Sequence, residues 1–219
     1  MLRIALILAA LVIWEVLARS GWLYRDVVPS LLAIGKAVFE LLRHGSYYFH
    51  LGVTAGEIGA ALAIGGGLGL ALGIALGANK FLSRAFEAFL YYLGPTPKII
   101  FFPVALSVAA GMRQIDQVLI KVGNSFRANT WQMITKIYMP AMRHPIINGV
   151  RLGFGVALIG TLLAETKLSN KGIGFLIIQA YAVFDMPSMY AMLIVLFALA
   201  IGANALIGRL GGIDTIKTR

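Results

Sequence analysis

The sequence predicts an all-α polytopic membrane protein, a bundle of about five transmembrane helices. Three observations carry that prediction. Ile58–Ala78 is a run of 21 residues without a charge, long enough to cross a bilayer as a helix. Within it, Gly65, Gly69, Gly73 and Gly77 recur at four-residue spacing, which strips one stripe of side chains and lets another helix approach the backbone. Composition agrees: 59% of residues are hydrophobic, 13% are charged and the mean hydropathy is +0.85, whereas a soluble domain carries about 25% charged residues. The 219 residues form one transmembrane domain, 1–219, with no room for a second globular one. With no cysteine in the chain, disulfides, thiolate metal sites and cysteine nucleophiles are excluded. The net charge of +10 is read as the excess of Lys and Arg that marks cytoplasmic loops, not as a nucleic-acid footprint.

The elements follow in order. Ile4–Trp14 is an 11-residue uncharged run between Arg3 and Glu15; it resembles a signal-peptide core, but no small-residue cleavage site follows, so it is read as an uncleaved first span. Pro29-Ser30 opens a helix with Ser30 as N-cap. Its Leu31, Ile34, Val38 and Leu41 share one face and Lys36, Glu40 and Arg43 the other, a pattern that suits a helix lying in the membrane interface. The glycine-rich span comes next, then a basic turn, Lys80 to Arg84.

Ala85–Gly111 contains Pro95, Pro97 and Pro103, which break or kink a helix. In a membrane, broken backbone is tolerated only where protein packs around it or where it lines a watery path. Residues 113–143 are the most charged segment, with Arg113, Lys121, Arg127, Lys136 and Arg143 against Asp116, and are assigned to the cytoplasm. Ile115, Val118, Leu119, Val122 and Phe126 form one apolar helical face. A second short helix starts at Asn129, with Gln132 at capping-box spacing. It presents Trp131, Ile134 and Tyr138 on a stripe and is expected to end before Pro140. Ile146–Ala164 and Met189–Ile207, 19 residues each, complete the spans. The first carries Asn148 and Arg151 near its start; between the two lie Glu165 and the turn Gly172-Ile173-Gly174. The basic tail Arg209 to Arg219 is again cytoplasmic.

No catalytic constellation emerges. His44, His50 and His144 are placed in connecting segments without metal-ligand spacing, and no Ser/His/Asp or paired-carboxylate pattern stands out. The glycine run is followed by no Lys-Ser or Lys-Thr, so it is not a phosphate loop. No metal and no cofactor is expected, and transport is the default for such a bundle. Glu165 and Asn148 are the candidates for a solute path.

Lys121 to Ala141, KVGNSFRANTWQMITKIYMPA, resembles the cytoplasmic EAA loop of bacterial ABC-importer permeases, which runs E-A-A, three residues, G, nine residues, I-x-L-P. Ile137, Met139 and Pro140 match its end. Arg127 stands at the glycine and Lys121-Val122-Gly123 at E-A-A, so the opening departs from the pattern. The flanks resemble the nitrate/sulfonate/taurine branch of these permeases: Trp14-Glu15, Val28-Pro29-Ser30, Gly94-Pro95-Thr96-Pro97, Gly149-Val150-Arg151-Leu152, Ala164-Glu165 and Gly172-Ile173-Gly174. The resemblance covers nearly the whole chain. It implies a permease subunit in a bacterial inner membrane, paired with a second copy or a related permease and fed by an extracytoplasmic solute-binding protein. The loop, about 113–145, would dock into a cytoplasmic ATP-binding subunit through Arg127, Ala128, Asn129, Trp131, Ile134, Ile137, Tyr138, Met139 and Pro140. A secondary transporter or channel-like bundle, or a non-transporting scaffold, are the alternatives.

Charge counting exposes a misfit. Arg84 and Arg113 should share the cytoplasmic side, yet the 28 residues between them fall short of two crossings, which need about 40. An internal deletion of one helix is the favoured explanation, and what remains of Ala85–Gly111 is expected to re-enter the membrane and return.

Overall fold

The computed structural model describes residues 2–20, 27–78 and 101–210. Regular structure among them is helical throughout: α1 (Leu2–Ser20), α2 (Leu31–Arg43), α3 (Gly45–Ala78), α4 (Phe101–Arg113), α5 (Gln117–Ser125), α6 (Thr130–Met133), a π-helical turn (Ile134–Tyr138), α7 (Met139–Ala141), α8 (Arg143–Leu168), α9 (Ile173–Ala182) and α10 (Met186–Leu210). Three of the described helices are long and apolar enough to cross a membrane, over Gly45–Leu76, Arg143–Leu168 and Met186–Arg209. The other expected crossings fall on α1, which carries Arg3, Glu15 and Arg19, and on the segment that ends in α4. The basic turn from Lys80 and the prolines Pro95 and Pro97 lie outside the described residues. Pro103 lies within α4.

The chain divides into two compact units, with boundaries that fall inside α3, α8 and α10. The first comprises 1–55 and 161–200. Here α2 begins where the sequence places it: the Ser30 hydroxyl accepts from Ala33 N at 3.3 Å. A second cap arrives from α1, because Glu15 Oε2 accepts from Leu31 N at 2.9 Å. One residue earlier, Trp14 Nε1 donates to the Pro29 carbonyl at 3.1 Å and its ring meets Tyr190 edge-on at 5.6 Å. A carboxylate at a helix N-terminus answers both the orphan N–H groups and the positive end of the helix dipole.

The second unit comprises 56–160 and 201–219. Its core is Val104, Val108, Met112, Ile115 and Met142, with Leu70, Ile74, Tyr138 and Ile146 packed on it. Gly65, Gly69 and Gly73 of α3 are buried; of Gly77 only the helical backbone is described. A Cβ built on Gly73 would lie 2.6 Å from Val108 Cβ and 2.8 Å from the Ala105 carbonyl, so α3 and α4 meet backbone against side chain at that position. At Gly66 and Gly67, by contrast, a Cβ would have nothing within 4 Å.

Two expectations are corrected. His50 and His144 do not lie in connecting segments: α3 starts at Gly45 and contains the first, and α8 starts at Arg143 and contains the second. The helix opened at Asn129 does not end before Pro140 but runs through the π turn to Ala141. Pro140 follows directly on the π turn, as the second residue of α7.

Candidate functional site

Residues 117–141 are built as a helical hairpin. Asp116 caps α5 by accepting from Val118 N at 2.8 Å. At its far end the Ala128 N–H reaches the Gly123 carbonyl at 3.0 Å, and Arg127 between them adopts φ +52°. That closure is the left-handed C-terminal stop for which glycine is the usual residue. The EAA pattern carries glycine at this position, and the structure supplies the conformational reason. Asn129 then opens the next helix with both halves of a capping box: Asn129 Oδ1 accepts from Gln132 N at 2.8 Å and Gln132 Oε1 from Asn129 N at 3.0 Å.

The arms of the hairpin meet at Gly123, where a Cβ would touch Ile137 Cδ1 and lie 2.5 Å from Met133 Sδ. A Cβ there would have to displace the flexible ends of Ile137 and Met133. Met133 and Gly123 are buried, while Trp131 is 71% and Phe126 83% exposed. Ile134, Ile137, Tyr138 and Met139 are half-buried, Ala128 likewise, and Arg127, Asn129 and Pro140 are exposed. Val118, Leu119 and Val122 add exposed apolar surface on α5. The hairpin thus holds its own fold with one set of side chains and leaves large apolar and aromatic groups on its surface.

Glu165 occupies a different setting. It is fully buried, near the end of α8 in the first unit. Its Oε1 accepts from the Thr54 hydroxyl at 2.6 Å and its Oε2 from Gly174 N at 2.7 Å. Thr54 in turn accepts from Ile173 N at 2.9 Å, and His50 Nδ1 accepts from Gly172 N at 3.0 Å. The hydroxyl proton of Thr54 is directed at the carboxylate, since its alternative acceptor, the His50 carbonyl, is farther at 3.2 Å. Three successive N–H groups at the start of α9 are therefore capped by side chains of α3 and α8. Gly172 itself has no side chain to cap with, and it takes φ +99°. A Cβ on it would overlap the Glu165 carboxylate. A buried carboxylate persists where hydrogen bonds replace its lost hydration, and here the helix terminus supplies one.

His50 and Thr54 escaped the sequence reading. Their i, i+4 spacing, which puts both on one face of α3, is the signal that could have found them. Asn148 lies exposed in the first turns of α8, and a concave groove of about 360 Å³ brings it together with Ser107, Gln114 and His144. Arg151, one turn beyond Asn148, is half-buried and donates to Asn204 Oδ1 at 3.1 Å; Gly208 leaves room for its guanidinium.

Three long apolar helices fit a multi-pass membrane protein. Residues 4–212 match the family of binding-protein-dependent transport system inner membrane components. The chain belongs to that family, the permeases of ABC importers. It is 27% identical to an aliphatic sulfonates transport permease of Bacillus subtilis (strain 168), over 84% of this chain and 75% of the relative. An ABC transporter permease of Haemophilus influenzae is 26% identical over 87% of each chain. The taurine transport system permease of Escherichia coli (strain K12) is 29% identical over 69% of this chain and 64% of the relative. The first two matches extend over 207 and 218 aligned positions, more than 84% and 87% of 219 residues can supply, by roughly the length of one membrane-crossing helix.

Proposed function

We propose that this chain forms the translocation path of a bacterial inner-membrane importer for a small solute such as nitrate, a sulfonate or taurine. In this reading it works without catalysing a reaction itself. The energy comes from a cytoplasmic ATP-binding subunit, the solute from an extracytoplasmic binding protein, and the path is completed by a second permease copy or a related one. Substrate class rests on the names of the relatives and on the flanking motifs that resemble the nitrate/sulfonate/taurine branch. The aligned lengths support the reading that one helix of the relatives has no counterpart here.

The observation that carries this reading is the hairpin. Residues 117–141 fold on an internal core of Gly123 and Met133 and present Phe126 and Trp131 outward. An apolar helical surface on a cytoplasmic loop is suited to a groove in a partner, and a rigid hairpin transmits the partner's closing as rigid-body motion. Arg127, Ala128, Asn129, Trp131, Ile134, Ile137, Tyr138, Met139 and Pro140 form the contact. Gly65, Gly69, Gly73 and Gly77 hold α3 against its neighbours. Glu165, offered by the sequence as a path residue, instead acts by ordering the start of α9.

Co-purification with the ATP-binding subunit tests the docking. Trp131→Ala and Ile134→Asp should each weaken association by about 2 kcal/mol, the loss that truncating a buried hot spot produces, with membrane insertion unchanged. Full co-purification of both variants would overturn the assignment.

A further inference from the structure

We infer that α2 lies on the membrane with Leu32, Phe39 and Leu42 among lipid acyl chains, a contact separate from the face by which it packs on the protein. The structure divides the circumference of α2 into three sectors. Ile34 is buried, and Leu31, Val38 and Leu41 are half-buried around it, so the apolar face of the sequence pattern is taken up by the protein itself. Beside it Leu42, Gly35, Phe39 and Leu32 follow in helical order over roughly a quarter of the circumference, and all four are exposed. Arg43, Lys36 and Glu40 come next and are exposed as well.

The second sector has the shape of a lipid contact. A Cβ on Gly35 would have nothing within 4 Å, and an open groove of about 400 Å³ runs along Leu32, Gly35, Lys36, Phe39 and Glu40. The Arg43 guanidinium lies over the Phe39 ring, 4.2 Å from its centroid, so a cation borders the apolar surface. Lys and Arg stems that follow apolar surface and end in a charge suit the depth of lipid headgroups. An apolar sector flanked by such charges is the pattern of a helix in the interface. A second copy seated in the groove would also cover Lys36 and Glu40, charges that are costly to bury, whereas headgroups and water leave them solvated.

Both ends of α2 hold it at the level of the spans. At its start the Pro29 carbonyl accepts from Trp14 Nε1, and the Trp14 ring meets Tyr190, which belongs to the first turns of the span in α10. Trp and Tyr collect at the membrane–water boundary. At its end His44 alone separates Arg43 from Gly45, where α3 and its span begin. The Tyr48 hydroxyl donates to the Leu42 carbonyl at 2.8 Å, and Tyr48 and Phe49 are exposed. The apolar sector of α2 thus continues into exposed aromatic surface at the start of a span.

The chain has no cysteine, so single spin labels can report each sector. Leu32→Cys, Phe39→Cys, Leu42→Cys and Glu40→Cys, each in the whole chain, are labelled with a nitroxide in vesicles of phosphatidylethanolamine and phosphatidylglycerol. Collision with oxygen, which concentrates among acyl chains, is compared with collision with a water-soluble nickel chelate. The ratio of oxygen to nickel collisions should be severalfold higher at 32, 39 and 42 than at 40. Three positions read the same sector, so one poorly folded variant leaves two that decide. Nickel access at 32 and 39 equal to that at 40 would place the sector in water and overturn the inference. Shielding of 32 and 39 from both probes, as by a second copy or another protein, would overturn it equally.

Discussion

Thr54 and Glu165, 111 positions apart in the chain, share a hydrogen bond of 2.6 Å where neither side chain reaches solvent. That bond ties α3 to the end of α8, and through Ile173 and Gly174 it fixes where α9 begins. The same device recurs in this unit, where Glu15 of α1 caps α2 at Leu31. Both helix starts thus receive a carboxylate from another helix; the other oxygen of each is held elsewhere, Glu15 by Arg19 at 2.6 Å and Glu165 by Thr54.

Thr54→Val should destabilise the protein by about 1–3 kcal/mol, because the Ile173 N–H and one oxygen of Glu165 lose a partner inside the structure. Thr54→Ser keeps the hydroxyl and should retain most of the stability. Thermal unfolding in detergent, followed by tryptophan fluorescence, compares the two; equal midpoints would show that the hydroxyl is not a structural tie.

Two glycines should respond to alanine in opposite directions. Gly172→Ala forces a side chain into a left-handed conformation, at about 1–2 kcal/mol, and drives its Cβ into the Glu165 carboxylate. Gly66→Ala meets open space and removes backbone freedom from a helix interior, a gain of about 0.5–1 kcal/mol. The same unfolding measurement ranks them, and the reverse order would contradict the geometry.

Gly73→Ala should cost about 1–3 kcal/mol through overpacking against Val108 and the Ala105 carbonyl. Val108→Ala removes one of the two Val108 atoms in the way, so the double variant should recover part of that loss beyond additivity. A simple sum of the single effects in a double-mutant cycle would mean that α3 and α4 do not share this contact.

Arg127→Gly should raise stability by about 1 kcal/mol, since the left-handed φ of +52° then carries no Cβ penalty. Arg127→Val should lower it, because a β-branched side chain is least compatible with that region. Loss of stability in the glycine variant would show that the arginine side chain contributes more than its backbone strain.

Much of this architecture was legible in the sequence because it is set by local chemistry. Apolar length and absence of charge mark membrane helices whatever surrounds them, so α3, α8 and α10 were readable as spans. Capping is equally local: Ser30 and the Asn129/Gln132 pair were legible because donor and acceptor lie within three residues. The glycine stripe showed that something approaches α3, but only the tertiary structure names Val108 as the neighbour of Gly73. His50 went unrecognised because a histidine near a helix start looks like any polar connector residue. Its role appears only when Gly172, 122 positions away, is folded onto it. Glu165 shows the same limit from the other side: sequence identified a carboxylate at the end of a span, and only the placement of α3 and α9 decided that it would be enclosed. Periodicity and capping depend on neighbours in the chain, whereas the surroundings of a buried polar group depend on residues that the chain brings there from a hundred positions away.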